Sequence, residues 1–164
     1  MHVSRALAMF ATISLIGVAC SNDNTTGIPA DVEIFKATLN GANEIPALPT
    51  PTTATGEATV TVMGNLLSWH VEVTNIQNVS IGHIHYGPAD SAGGVMVSLS
   101  PTPGDYTAKT TIAQGSLLVA DSVLVHMRAG KAYVNIHTSD ASLPGNNTPG
   151  DYPAGEIRGQ LRKL

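Results

Sequence analysis

The residues of this chain whose types and spacing could do chemistry lie in two short segments, residues 82–87 (GHIHYG) and 133–138 (YVNIHT). In each, apolar residues alternate with polar ones, which predicts a β-strand. Side chains two apart on a strand emerge on the same face, so His83 and His85 lie side by side, about 7 Å apart along the chain. With His137 of the second segment, the sequence offers three imidazoles on strand faces.

These three imidazoles support two interpretations. Neutral imidazole is a good ligand for copper and zinc, and three histidines would leave one coordination position open. Asn135 or Glu156 would then orient the ligands by hydrogen bonds. Alternatively, the histidines bond to backbone groups and to Asn135 and pin one strand against another. The sequence leaves both interpretations open: His83, His85 and His137 are either ligands of copper or zinc or structural residues.

The first 19 residues have the pattern of a secretory signal peptide. Arg5 precedes an apolar run over residues 6–19, which is too short for a membrane-spanning helix but suits a signal sequence. The run ends in Gly17-Val18-Ala19-Cys20, which resembles the lipobox of bacterial lipoproteins. In those proteins the signal is cleaved before the cysteine, and the cysteine is lipidated.

Cys20 is the only cysteine in the chain, so no intramolecular disulfide can form. Lipidation would remove an otherwise exposed unpaired thiol from an oxidising compartment. We therefore expect an extracytoplasmic protein anchored to a bacterial membrane by lipid on Cys20. Ser21 directly after Cys20 is compatible with sorting to an outer membrane, if the host has one.

The charge balance limits the classes of partner. The formal net charge is −4, and loss of Arg5 with the signal makes it one unit more negative. An acidic chain argues against nucleic acid as a partner and against electrostatic attraction to anionic lipid. Membrane contact would then come from the acyl chains on Cys20, and any further partner would be a protein or a surface polymer.

The rest of the chain predicts a tether followed by one domain. Residues 20–31 are polar, contain Gly27 and Pro29 and show no periodicity, as in a flexible linker. Residues 32–164 carry repeated strand signals, so we expect an all-β, antiparallel Greek-key sandwich or barrel of about eight strands. At most one short helix is predicted, over residues 121–128 with Asp121 as its cap, and a strand is the alternative there. Residues 139–154 are predicted as a long surface loop. The predicted strands cover residues 34–39, 58–62, 67–74, 80–86, 94–99, 108–113, 132–138 and 155–161.

Three motifs in this domain resemble those of the CHRD domain, named after the animal protein chordin. They are residues 35–46 (FKATLNGANEIP), residues 83–97 with HIHYG and GVMV, and residues 130–161 with GKAYVNIHT and GEIRGQL. They occur in the order of the family and cover nearly all of the predicted domain. The resemblance implies a secreted β-domain without an assigned catalytic activity. Its polar motif residues, to which we assign a structural role, are Glu44, Asn135, Glu156 and Arg158.

Two further expectations concern the same residues. Arg158 could pair with its same-face neighbour Glu156 or with Glu44 across the fold, and we expect such a buried pair to be structural because a buried carboxylate needs a partner. The order of His83, His85 and His137 is also similar to that of the copper ligands in copper–zinc superoxide dismutases. Those enzymes have a bridging histidine and a zinc loop, whereas His126 is the only histidine between residues 86 and 132 here. The sequence therefore favours a structural or binding role over catalysis, with a copper- or zinc-binding module as the alternative.

Overall fold

The computed structural model describes residues 31–141 and 145–164. The predicted signal peptide, Cys20 and nearly all of the predicted tether lie outside the described residues. The described elements comprise ten strands and one α-helix. The strands are β1 (Val32–Asn40), β2 (Thr55–Met63), β3 (Leu66–Thr74), β4 (Ile76–Tyr86), β5 (Val95–Ser98), β6 (Gly104–Tyr106), β7 (Thr110–Leu118), β8 (Ala132–Thr138), β9 (Ile157–Gln160) and β10 (Arg162–Lys163), and the helix is α1 (Asp121–Arg128).

The strands form one antiparallel sheet that curls into a half-barrel, which confirms the all-β prediction. Eight strands run across it in the order β5-β4-β8-β9-β1-β2-β3-β7, and the two short strands β6 and β10 pair with β4 and β1. The β2–β3 hairpin forms as the sequence predicts, because Gly64 adopts a φ of 59° at the turn and Met63 pairs with Leu66. Among the described residues, no helix is long and apolar enough to cross a membrane.

Strand alternation places the apolar side chains inside the curve of the sheet. In β1 the inward residues Phe35, Ala37 and Leu39 are all buried, and the residues between them are exposed. The central strand β8 is buried along its whole length, on both faces. In a strand that is covered on both faces, the polar side chains must lie on the face away from the hydrophobic core, beneath another part of the chain.

Two local features differ from the sequence prediction. Helix α1 forms as predicted and ends at Arg128, two residues before Gly130, but its N-cap residue is Ala120, and the Asp121 carboxylate instead accepts a 2.6 Å hydrogen bond from Asn65 Nδ2. The prediction of Asp121 as the cap is therefore wrong. Strand β6 begins at Gly104, in a stretch that the sequence presents as a turn.

The register of three neighbouring strands builds a polar layer on the outer face of the sheet. Strand β8 lies between β4 and β9, so Asn135 is flanked by His83 on one side and Arg158 on the other. One pair further along, Tyr133 is flanked by His85 and Gln160. Alternate residues such as Ile84, Val134 and Ile157 face the hydrophobic core. We call the outer residues His83, His85, Tyr133, Asn135, His137 and Arg158 the polar layer.

Candidate functional site

The structure brings the three predicted histidines of the polar layer together. The ring centroid of His83 lies 5.4 Å from that of His85 and 5.1 Å from that of His137. The ring centroids of His85 and His137 are 5.8 Å apart. Each ring offers one nitrogen such that the three nitrogens lie within 4.8 Å of one another. His85 and His137 are only 8% and 6% exposed, and His83 is half-buried. The i, i+2 spacing and the β4–β8 register together account for this convergence.

Backbone carbonyls fix the tautomers of the two buried histidines. Nδ1 of His85 lies 3.0 Å from the carbonyl oxygen of Gly93, and Nδ1 of His137 lies 3.0 Å from that of Pro153. A carbonyl oxygen can only accept, so each Nδ1 carries the proton and donates. The Nε2 atoms of both rings therefore carry free lone pairs, which is the state of a histidine that ligates a metal through Nε2.

The two Nε2 atoms have different surroundings. Nε2 of His137 lies 3.2 Å from Nδ1 of His83 and accepts a hydrogen bond from it. Nε2 of His85 is buried and has no hydrogen-bond partner among the described residues. A buried polar atom without a partner is costly, and an unfilled acceptor indicates a ligand or solvent molecule at that position.

The nitrogen positions are close to those that a metal ion requires. Three points no more than 4.8 Å apart all lie within about 2.8 Å of a common point, whereas Zn–N bonds are about 2.0–2.1 Å long. Small rotations of the rings would close the remaining gap. Metal ligation would then replace the hydrogen bond between His83 Nδ1 and His137 Nε2. His83 would carry its proton on Nε2, because Nδ1 would need its lone pair for the ion.

The surroundings of the three rings keep them neutral near pH 7. Burial lowers the pKa of all three imidazoles, and for His137 the pKa falls to about 4. The proximity of His85 further lowers the pKa of His83, and the positive charge of Arg158 further lowers that of His85. Since only neutral imidazole has a lone pair to give, the rings are in the form that binds a metal ion.

A stack of side chains closes one side of this site. The ring of Tyr133 lies parallel to His85, with centroids 5.0 Å apart and planes 8° apart. The guanidinium carbon of Arg158 lies 3.5 Å from the centroid of the same tyrosine ring, a cation–π contact. Arg158 also donates from Nη2 to the carbonyls of Pro88 and Ser91, at 2.9 and 2.8 Å.

Two loops cover the polar layer and supply these carbonyls. The β4–β5 loop (residues 87–94) carries Gly93 and the two carbonyls that hold Arg158. The β8–β9 loop (residues 139–156) carries Pro153, and Gly150, Asp151 and Tyr152 in it are buried. The prediction of residues 139–154 as a surface loop is therefore wrong for the part that packs on the sheet.

Glu156 holds the β8–β9 loop in place. Its Oε1 accepts a 2.5 Å hydrogen bond from the Thr52 hydroxyl, and its Oε2 accepts from the Thr138 hydroxyl at 2.6 Å and from the Gly150 N–H at 2.9 Å. These bonds connect three parts of the chain through one buried carboxylate. Its partners are thus hydroxyl and backbone groups, and the expected pairing with Arg158 does not form.

Glu44 approaches the polar layer from the β1–β2 connection and meets Asn135. The Asn135 amide donates to Glu44 Oε2 at 3.3 Å, while Glu44 Oε1 and Asn135 Oδ1 have no hydrogen-bond partner among the described residues. Gly155 packs directly on Asn135, since a Cβ at that glycine would lie 2.4 Å from Asn135 Nδ2. Asn135 thus orients Glu44 rather than the histidines, and the predicted role of Asn135 as a histidine partner is wrong.

The other histidines of the domain lie apart from the site. His70 is exposed on β3 beside Thr111, and His126 on α1 packs against the Tyr86 ring. Sequence reasoning missed Tyr133 as a wall of the site and the carbonyls of Gly93 and Pro153 as its tautomer-setting partners. The Tyr133-x-Asn135-x-His137 alternation could have placed the tyrosine on the same face, but no sequence pattern indicates which loop carbonyl meets a ring.

Comparison with protein families finds a match that covers most of this chain. The CHRD domain model matches residues 35–161, most of the chain. The chain belongs to the CHRD domain family. This confirms the resemblance seen in the three motifs, and family membership indicates a structural or binding β-domain. Comparisons with curated proteins and with solved structures give no match.

Glu44 generates a pH-dependent prediction for this CHRD domain. Burial raises the pKa of the Glu44 carboxyl to about 7, from 4.5 when it is exposed in the unfolded chain. The folded state therefore binds the proton more tightly, and stability is lost as pH rises from about 4.5 to about 7. We expect Glu44→Gln to remove this loss. The free energy of unfolding of the variant minus that of wild type should therefore be roughly 1–3 kcal/mol larger at pH 8 than at pH 5.

Urea unfolding of both proteins at pH 5 and pH 8 measures this difference. Glu57→Gln is the matched control, because the Glu57 side chain is 66% exposed, and its pH profile should follow that of wild type. Equal pH profiles for Glu44→Gln and wild type would show that the carboxyl is not protonated preferentially in the fold.

Proposed function

We propose that this protein is an extracytoplasmic CHRD β-domain of structural or binding type, anchored to a bacterial membrane by lipid on Cys20. The anchor is supported by the lipobox-like sequence before Cys20 and by the absence of any other cysteine. The first strand begins at Val32 and the family match at residue 35, which leaves residues 20–31 as a tether between anchor and domain. If the host has an outer membrane, that membrane is the proposed location.

A groove on the outer face supports a binding role. It has a volume of about 560 Å³ and runs beside β1, β9 and β10. The charged residues along it are Lys36, Arg162 and the 2% exposed Arg158, against one acid, Glu57. On an acidic chain this basic groove would suit an acidic segment of a protein or an acidic surface polymer.

The anchor predicts the behaviour of one variant in the bacterial host. Cys20→Ala should abolish labelling of the protein by an alkyne-tagged fatty acid, because the acylated thiol is gone, and should move the protein from the membrane fraction to the soluble fraction. Ser21→Ala, which keeps the thiol, serves as the control and should still be labelled. A Cys20→Ala protein that stays in the membrane fraction would contradict the proposed anchor.

A second candidate function, metal binding, is favoured by one specific observation. The rings of His83, His85 and His137 each offer a nitrogen within 4.8 Å of the other two, and the buried Nε2 of His85 has no hydrogen-bond partner among the described residues. A hydrogen-bonded structural network would give that nitrogen a donor, and a metal ion would use its lone pair. The proposed ligands are His83, His85 and His137, and the proposed ions are copper and zinc. No catalytic step is assigned to this site.

Metal uptake by the purified mature protein tests this second function. We expect about one copper or zinc ion per chain to survive desalting, and the triple variant His83→Ala/His85→Ala/His137→Ala to retain none. The double variant His70→Ala/His126→Ala removes two histidines outside the site and should retain the ion. No uptake by wild type, or equal uptake by the triple variant, would reject metal binding at this site.

A further inference from the structure

We infer that the three-histidine centre binds Cu(I) in preference to Zn(II). The inference rests on the proposed metal-binding function and adds the identity and charge of the ion. Three observations carry it: the ligands are all neutral, the buried charge stacked against the site is positive, and one side of the site is closed by stacked rings.

The ligand set brings no negative charge. In the part of the chain that the structure describes, the group that could hold the ion consists of His83, His85 and His137, with no carboxylate or thiolate among its members. The Nδ1 protons of His85 and His137 are donated to neutral carbonyls rather than to carboxylates. The bound ion would therefore retain its full charge in a buried site.

The carboxylates of the neighbourhood are directed elsewhere. Both oxygens of Glu156 accept hydrogen bonds from the Thr52 and Thr138 hydroxyls and from a backbone N–H. Glu44 meets the Asn135 amide. Neither acid belongs to the histidine group, so neither can neutralise a bound dication by ligating it.

The fixed charge that borders the site is positive. Arg158 is 2% exposed and sits against the same Tyr133 ring that stacks on His85. Removing an ion from water costs free energy in proportion to the square of its charge, so a dication costs about four times as much as a monocation. Repulsion from Arg158 is also about twice as large for the dication. Both effects favour Cu(I) over Zn(II).

The number of ligands favours the same ion. Zinc in proteins is almost always four-coordinate, so a Zn(II) ion here would need a fourth ligand from solvent. Tyr133 covers His85, and both His85 and His137 are more than nine-tenths buried, so only the half-buried His83 side offers an approach. Three neutral imidazoles satisfy a cuprous ion without a fourth ligand, and imidazole suits copper as well as zinc.

Competition titrations on the full mature protein test the inference. Cu(I) would be supplied anaerobically with ascorbate against bicinchoninate, and Zn(II) against a zinc-responsive chelating dye. We expect a Cu(I) dissociation constant at least 100-fold below that for Zn(II), and an X-ray absorption spectrum of the copper protein that fits three nitrogen ligands. Equal or tighter binding of Zn(II), or a fourth light-atom ligand on Cu(I), would overturn the inference and leave metal binding intact. Failure to bind either ion would reject the proposed metal site itself.

Arg158 provides an independent check of the charge argument. Arg158→Gln removes the positive charge without touching a ligand, and we expect it to reduce the Cu(I)-over-Zn(II) preference about tenfold by strengthening Zn(II) binding. Arg162→Gln, which removes an exposed charge from β10, is the matched control and should leave the preference unchanged. An unchanged preference in a folded Arg158→Gln protein would contradict the electrostatic basis of the selectivity. If that variant does not fold, the wild-type titrations decide.

Discussion

Burial of polar groups on the outer face of β4, β8 and β9 is the constraint on which the rest of the structure depends. Strand β8 is covered on both faces, so its outer residues Tyr133, Asn135 and His137 need hydrogen-bond partners as well as packing contacts. The apolar side of the same strands is satisfied by ordinary packing in the half-barrel. The polar side is covered by loops, which bring backbone carbonyls and buried carboxylates to specific side chains.

This constraint links the fold to the proposed chemistry. The carbonyls that satisfy His85 and His137 also fix their protons on Nδ1, and burial keeps both rings neutral. Arg158 joins the same layer by bonding to the β4–β5 loop and stacking on Tyr133. One loop thus orients His85, holds Arg158 and closes the site, so the features that stabilise the polar layer are those that prepare a ligand set.

The sequence predicts the parts of this arrangement that follow from strand periodicity. The alternation around His83, His85 and His137 places all three on one face, and the β4–β8 register then brings them together. The hairpin turn at Gly64 and the turn at Gly130, just beyond the C-cap of α1, both use a glycine with positive φ. The motifs also identify the family, and the CHRD domain model matches residues 35–161.

The remaining features depend on where loops pack, which local patterns do not encode. Pro153 meets His137 because Glu156 fixes the β8–β9 loop through partners far apart in the sequence, and Thr52 is one of them. Partners from distant parts of the chain also explain the two wrong predictions for Glu156 and Asp121. Glu156 bonds to hydroxyls rather than to Arg158, and Asp121 bonds to Asn65 rather than capping its helix. In each case a tertiary partner replaced the local one that the sequence suggested.

The central claim is that His85 and His137 are neutral, with their protons on Nδ1 and their lone pairs on Nε2. Long-range ¹H–¹⁵N correlation spectra of the imidazoles in the metal-free protein at pH 7 measure this directly. The account predicts the Nδ1–H tautomer for both residues, with His137 still neutral at pH 5, since its pKa is about 4. An Nε2–H tautomer at either residue, or an imidazolium at pH 7, would contradict it.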